Sequence, residues 1–154
     1  MAVDMKAAYR RLFDEAFGKG NFDVFDEVCD NGYRAHDPLT GDADLATEKE
    51  TCRGYKTAFP DLSPTILGCY ADGDTCVVHW RMIGTHQNPL MGIQPTGKRC
   101  TVEGMSIGRF RNGKLAEEWA QWDALGLMRQ LGAAPSIGAP ESSTSRASQP
   151  RPHA

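Results

Sequence analysis

The chain has 154 residues, a net charge of −3 and 40% hydrophobic residues, enough for one domain with a core of its own. The mildly acidic balance offers no basic footprint for nucleic acid or an anionic membrane, and no apolar run approaches the ~18 residues that span a bilayer. Residues 1–17 are amphipathic and carry acids, without the apolar centre and small-residue cleavage site of a signal peptide, so a cytoplasmic protein is expected.

Met5, Ala8, Tyr9, Leu12, Phe13, Ala16 and Phe17 recur at spacings of three and four, which predicts a helix closed by Gly18 and Gly20. Asn21 is placed to cap a second short helix with Phe22, Phe25 and Val28 on its inner side. Asn31-Gly32 signals a turn, residues 33–37 a short strand stopped by Pro38, residues 40–44 a polar loop, and residues 45–59 a third helix ended by Pro60. From Leu62 the period becomes two. Strands are predicted over 62–70 and 75–86 around the turn Ala71-Asp72-Gly73-Asp74, the second facing inward with Cys76, Val78, Trp80, Met82 and His86. A loop over 87–98 with two prolines and two glycines leads to a strand over 99–111. Asn112-Gly113 is a two-residue hairpin signal, followed by a strand over 114–122 and a helix over 123–131 that Gly132 stops. Residues 133–154 are rich in Ala, Pro, Ser and Gly and read as a disordered tail after a domain over 1–132. Helices first, then a mostly antiparallel sheet, then a short helix make an α+β fold.

The five cysteines form no CxxC pair and their number is odd, so free thiols are the simplest account. No HxH or HExxH occurs, and no metal site is expected. The absence of GxSxG, GxGxxG after a strand and GxxxxGK[ST] removes serine-hydrolase, dinucleotide and P-loop chemistry.

A two-residue turn at Asn112-Gly113 pairs Arg111 with Lys114. Continued without interruption, that register sets Gly108 opposite Glu117, Ser106 opposite Trp119, Gly104 opposite Gln121 and Val102 opposite Asp123, all on one side of the sheet. A row of small residues facing large ones leaves room on that side. Glu117, Trp119, Gln121 and Asp123 are therefore expected to line a pocket, with Glu118 on the opposite face. Asp123 has two readings: an N-cap of the last helix, or a carboxylate at a cavity mouth suited to proton transfer. His36, in His36-Asp37-Pro38, reads as a loop residue bonded to backbone or as a pocket donor. His86 reads as a brace for the long loop or as a pocket residue on the face of Trp80. Trp80, Trp119 and Trp122 suit either core or a ligand platform.

The set His36-Asp37-Pro38, Ala58-Phe59-Pro60-Asp61, Gly84-Thr85-His86 with Pro95-Thr96-Gly97-Lys98, Arg109-Phe110 with Asn112-Gly113-Lys114, and Glu117-x-Trp119-x-x-x-Asp123 through Gln130-Leu131-Gly132 resembles the SnoaL-like polyketide cyclases, also called ester cyclases, of the NTF2-like superfamily. The resemblance covers roughly residues 5–132. It implies a cone-shaped α+β fold: a strongly curved, mostly antiparallel sheet wrapped by N-terminal helices around a deep pocket, usually in a homodimer. It also implies an intramolecular aldol condensation of a carbonyl-rich, polyketide-like substrate without metal or cofactor, with Asp123 as acid/base. The histidine that such cyclases carry on the neighbouring strand has no counterpart in residues 99–111, leaving His36 and His86 as polar helpers and Phe13, Trp80, Ser106, Glu117, Trp119 and Gln121 as pocket residues. Two other functions fit the scaffold: a non-catalytic small-molecule binder, and another cofactor-free reaction such as isomerisation, hydroxylation or epoxide hydrolysis.

Overall fold

The computed structural model describes residues 4–134; the tail expected over 133–154 lies, from residue 135 on, outside the described residues. The chain starts with α1 (Met5–Arg11), capped by the Asp4 side chain on Ala7 N–H and continued through Leu12–Gly18 in wider π-type turns. Then come α2 (Val24–Val28), β1 (Cys29–Asp37), β2 (Gly41–Asp44) and α3 (Leu45–Ala58). Asp44 caps α3 by accepting from Thr47 N–H. β3 (Ser63–Asp72), β4 (Thr75–Thr85), β5 (Arg99–Arg111) and β6 (Lys114–Trp122) follow, and α4 (Ala124–Gln130) ends the described chain. The segment read as a polar loop is β2, a short strand pairing antiparallel with β1 from Arg34↔Asp44 to Asp37↔Gly41. Asp, Gly and Ala are poor strand formers, so its sequence carries no period-two signal.

All six strands form one sheet in the order β2-β1-β6-β5-β4-β3. It is mixed, because β1 runs parallel to β6 while the other pairs are antiparallel. The expectation of a strongly curved, cone-like sheet is not met. The order is linear and ends in two edges, β2 and β3, that do not meet, so the sheet stays open. Strands bend where bulges interrupt the ladder, and the central pair has none: β4 and β5 pair without a break from Thr75↔Arg109 to Thr85↔Arg99.

The helices cover one face of this sheet. β4 alternates strictly, with Cys76, Val78, Trp80, Met82 and Gly84 buried. Ser106 and Phe110 of β5 are buried on the same side, together with Tyr9, Leu12, Phe13 and Ala16 from the first helix. The small residues of β5 are sites of close approach. A Cβ at Gly104 would lie 2.5 Å from both Trp122 Cβ and Trp80 Cζ2, and one at Gly108 would collide with the Tyr9 hydroxyl and lie 2.7 Å from Leu115 Cδ1. The row that reads as empty space in the sequence is thus largely occupied by aromatic side chains from β4, β6 and α1.

Replacing Gly104 with alanine overpacks this contact, and a loss of about 1–3 kcal/mol is expected. Urea unfolding measures it; an unchanged midpoint would show that the two tryptophans shift freely.

Candidate active site

The hairpin turn forms as expected, with Arg111↔Lys114 and Phe110↔Leu115 paired, but Ala116 is then an extra residue. The register resumes as Arg109↔Glu117, Gly108↔Glu118, Ile107↔Trp119, Ser106↔Ala120 and Gly104↔Trp122. A one-residue bulge exchanges the two faces of everything beyond it. Glu118, Ala120 and Trp122 therefore point to the helix-covered side, and Glu117, Trp119 and Gln121 to the other. The uninterrupted register expected from the turn alone is corrected at this point, and with it the placing of Glu117 and Glu118.

Between sheet and helices lies a cavity of about 120 Å³. Its walls are mostly aromatic and aliphatic, with Phe13 and Phe17 from the π-type turns, Phe59 after α3, Trp80 from β4 and Trp122 from β6. Three carboxylates enter it from three elements: Asp37 at the end of β1, Glu48 on α3 and Glu118 on β6. Among the described residues, no lysine, arginine or histidine lines it.

Glu118 is the best enclosed of the three. The surface it keeps belongs to the cavity, while its carboxyl is surrounded by protein. The Tyr9 hydroxyl donates to its Oε2 at 2.7 Å, and Gly108 across the ladder is small enough to admit that hydroxyl. Burial pushes the Glu118 carboxyl up to about 7; the Tyr9 bond pulls it back in part, neighbouring Glu48 raises it further, and Tyr33 and Asp37 act more weakly in opposite directions. Glu48 is likewise raised by burial, against the Cys52 thiol, which donates to its Oε1 at 3.4 Å. Asp37 is the most fully bonded: Oδ1 accepts from Leu39 N–H at 2.8 Å and Thr40 N–H at 2.9 Å, and Oδ2 from the Trp122 indole at 2.9 Å. The Trp80 indole donates to Ser106 Oγ at 3.2 Å.

Of the residues singled out in the sequence, Phe13, Trp80 and Ser106 line the cavity, whereas Glu117, Trp119 and Gln121 do not. His36 lies on the outer face, where Nδ1 is 2.8 Å from Asp42 Oδ1 and Nε2 2.8 Å from Glu117 Oε2. Its ring stacks on Trp119 at 5.4 Å, and Glu117 and Asp42 hold its pKa above the ordinary histidine value. His86 is fully buried behind the cavity wall, against Phe59. Thr96 N–H donates to its Nδ1 at 3.2 Å, which leaves the proton of the neutral ring on Nε2; its backbone also bonds Gly97 and Lys98 of the long loop. Asp123 is exposed and caps α4, its Oδ1 accepting from Gly126 N–H at 2.9 Å. A Cβ at position 126 would collide with that carboxylate, so the cap depends on Gly126. Asp123 is not among the lining residues, although Trp122 beside it is.

Sequence reasoning missed Glu118, Glu48 and Asp37 as one group, and two signals were available. Leu115 and Ala116 are consecutive apolar residues in an otherwise alternating strand, and both are buried, as a bulge requires. Glu48, Cys52, Tyr55 and Phe59 follow helical spacing on one face of α3, which puts an acid in an apolar stripe. Among the described residues, no group of three His, Cys, Asp or Glu side chains is arranged to hold a metal ion, and no helix is long and apolar enough to cross a membrane.

The model of the SnoaL-like polyketide cyclase family matches residues 7–131. Among solved structures, a candidate polyketide cyclase from Acidithiobacillus ferrooxidans is 32% identical, with a TM-score of 0.73 over 87% of this chain and 100% of its own. TsrD from Streptomyces laurentii is 26% identical, with a TM-score of 0.77 over 86% and 100%. A candidate SnoaL-like polyketide cyclase from Jannaschia sp. CCS1 is 25% identical, with a TM-score of 0.76 over 84% and 92%. Comparison with curated proteins gives no match.

The raised Glu118 carboxyl has a stability consequence of definite sign. Below its ordinary value of 4.5 it is neutral both folded and unfolded. Between about 4.5 and about 7 the unfolded chain releases the proton and the folded one keeps it, so stability falls as pH rises through this window. Glu118→Gln removes that loss. The variant is expected to gain on the wild type from pH 4.5 upward and to level off above pH 7 at up to roughly 3 kcal/mol, at about 1.4 kcal/mol per unit. Urea unfolding at pH 4.5 and pH 8 reads the difference; an equal effect at both would contradict it.

Proposed function

Since the chain belongs to the SnoaL-like polyketide cyclase family, we propose that it is a cofactor-free enzyme closing a ring in a carbonyl-rich substrate by an intramolecular aldol-type reaction. In this reading Glu118 is the acid/base. The observation that carries it is a carboxyl enclosed in an apolar cavity and poised at about 7. A base is most effective when its pKa lies near the working pH, and one held in an apolar site is stronger than a solvated carboxylate.

The ionised Glu118 takes a proton from a carbon flanked by carbonyls, and the C–H electron pair becomes an enolate. The enolate carbon attacks a second carbonyl of the same molecule, forming the C–C bond and an alkoxide. Glu118, now a carboxylic acid, returns its proton to that alkoxide. Atoms and electrons balance within substrate and carboxyl, without oxidant or reductant. The cavity contributes by holding the reacting carbons together, and Tyr9 by fixing the carboxyl through its hydrogen bond.

The resemblance in sequence supports a second assignment, with Asp123 in the same role and His36 or His86 as helpers. Its place at the end of β6, beside the cavity-lining Trp122, favours keeping it as a comparison. The protein is further proposed to be a cytoplasmic homodimer. The sheet face away from the helices supports the dimer: it exposes Met105, Ile107 and Trp119 among charged neighbours.

On a turned-over substrate, Glu118→Gln is expected to lower kcat by about 10²–10⁴-fold, and Asp123→Asn by much less, with kcat/KM of the wild type rising with pH to a plateau above about 7. Steady-state kinetics of the two variants separates the assignments: loss in Asp123→Asn with turnover kept in Glu118→Gln reverses them. Unaltered ligand binding with no turnover in any protein would favour a binding function.

A further inference from the structure

Resting on the reading of this cavity as the reaction site, we infer that its substrate is a compact, uncharged carbonyl compound of about one ring, whose carbonyl oxygen accepts a hydrogen bond from Tyr55. Three independent features of the cavity lead there: its size, its charge and its one unmatched donor.

The volume is about 120 Å³. An apolar cavity of about 150 Å³ holds one benzene ring, while sites for drug-sized ligands run to about 300–1,000 Å³. The space fits a single ring or a short chain folded into one, and is too small for three or four fused rings. The packing around it leaves little slack, since Trp80 and Trp122 already close on Gly104.

The charge of the lining selects against anions. Asp37, Glu48 and Glu118 contribute three carboxyls, and no basic side chain among the described residues balances them. A carboxylate or phosphate on the ligand would face like charges in a medium of low dielectric constant. The substrate is thus released from any anionic carrier before it enters. The preceding step is one that frees a short, neutral carbonyl chain, and the following one consumes a monocyclic product.

The polar groups of the lining are nearly all matched within the protein. Tyr9 donates to Glu118, Trp80 to Ser106, and Trp122 to Asp37. The exception is Tyr55, whose hydroxyl is buried without a hydrogen-bond partner. Its ring stands edge-on to Trp122 at 6.0 Å and 89°, and it shares the inner face of α3 with Glu48 and Cys52. Burial and neighbouring Asp37 keep its proton in place, so it is a donor at all ordinary pH. A donor with no acceptor in an acid-lined apolar cavity suits an oxygen that becomes negative during reaction, as a carbonyl oxygen does when the adjacent carbon loses its proton to Glu118.

The test uses 2-cyclohexen-1-one labelled with ¹³C at the carbonyl, titrated into the full chain and followed by NMR at the carbonyl carbon and at the Trp80 and Trp122 indole signals. Expected are saturable binding that moves both indoles and a carbonyl resonance downfield of its position in hydrocarbon solvent. In Tyr55→Phe the carbonyl resonance returns toward the hydrocarbon value, with affinity falling about twofold to tenfold. The wild-type arm decides without the variant, since a bound ketone lacking the downfield shift overturns the Tyr55 assignment. An equal shift in Tyr55→Phe does the same. Anthrone, a fused three-ring ketone, binding where cyclohexenone does not would overturn the size limit and leave the cavity as the site. Tighter binding of cyclohexylamine at pH 8 would overturn the uncharged carbonyl in favour of a cation. Failure of every probe to move the indoles would overturn the cavity reading and this inference with it.

Discussion

One residue of excess in β6 governs what the cavity contains. Ala116 has no partner on β5, and beyond it the strand presents its opposite set of side chains to the helices. The bulge buries Leu115 and Ala116 side by side and delivers Glu118 and Trp122 inward. It sends Glu117 outward to pair with Arg109 and His36. Without that step an acid already matched by a cation would face the cavity, and the carboxyl without one would face water. The electrostatic character of the site follows from the strand's register more than from any single contact.

An enclosed carboxyl is costly, and the surrounding structure limits the cost without removing it. Tyr9 supplies one strong hydrogen bond, and Gly108 makes that bond sterically feasible. Glu48 and Asp37 work against ionisation from the other side. The outcome is a group between its neutral and charged forms near neutral pH, where either direction of proton transfer is accessible. Asp37, in contrast, is held by two backbone amides and an indole, the environment of a structural carboxylate that fixes β1, the following turn and Trp122 together. Three acids in one cavity are therefore not equivalent, and their partners set them apart.

Much of this was legible in the sequence. The alternation of β4 identifies its buried face because every second residue is large and apolar, and Asn112-Gly113 identifies its hairpin because few other pairs tolerate two positive φ angles; Asn112 has φ 49° and Gly113 78°. The helical stripe from Met5 to Phe17 locates Phe13 on the cavity side. What escaped was a matter of register and composition. A hairpin turn fixes pairing only as far as the first bulge, so the faces of Glu117 and Glu118 were exchanged. β2 has no side-chain pattern because it is a short edge of Gly, Asp and Ala. The open, mixed sheet depends on β1 lying parallel to β6, a long-range pairing that no local signal encodes. The motif residues His36, His86 and Asp123 are visible in the sequence for a different reason: each is embedded in local structure, as an ion-paired surface ring, a loop brace and a helix cap, and such roles leave strong local patterns.

The claim on which the account turns is that Glu118, uniquely among the glutamates, titrates near neutrality inside the cavity. Its side-chain carboxyl can be followed directly by ¹³C NMR from pH 3 to pH 9, assigned through the loss of its signal in Glu118→Gln. A midpoint near 7, moved by occupation of the cavity, is the predicted result. A midpoint near the ordinary 4.5, insensitive to a bound ligand, would mean that water reaches the carboxyl freely and would contradict the assignment of this residue as the acid/base.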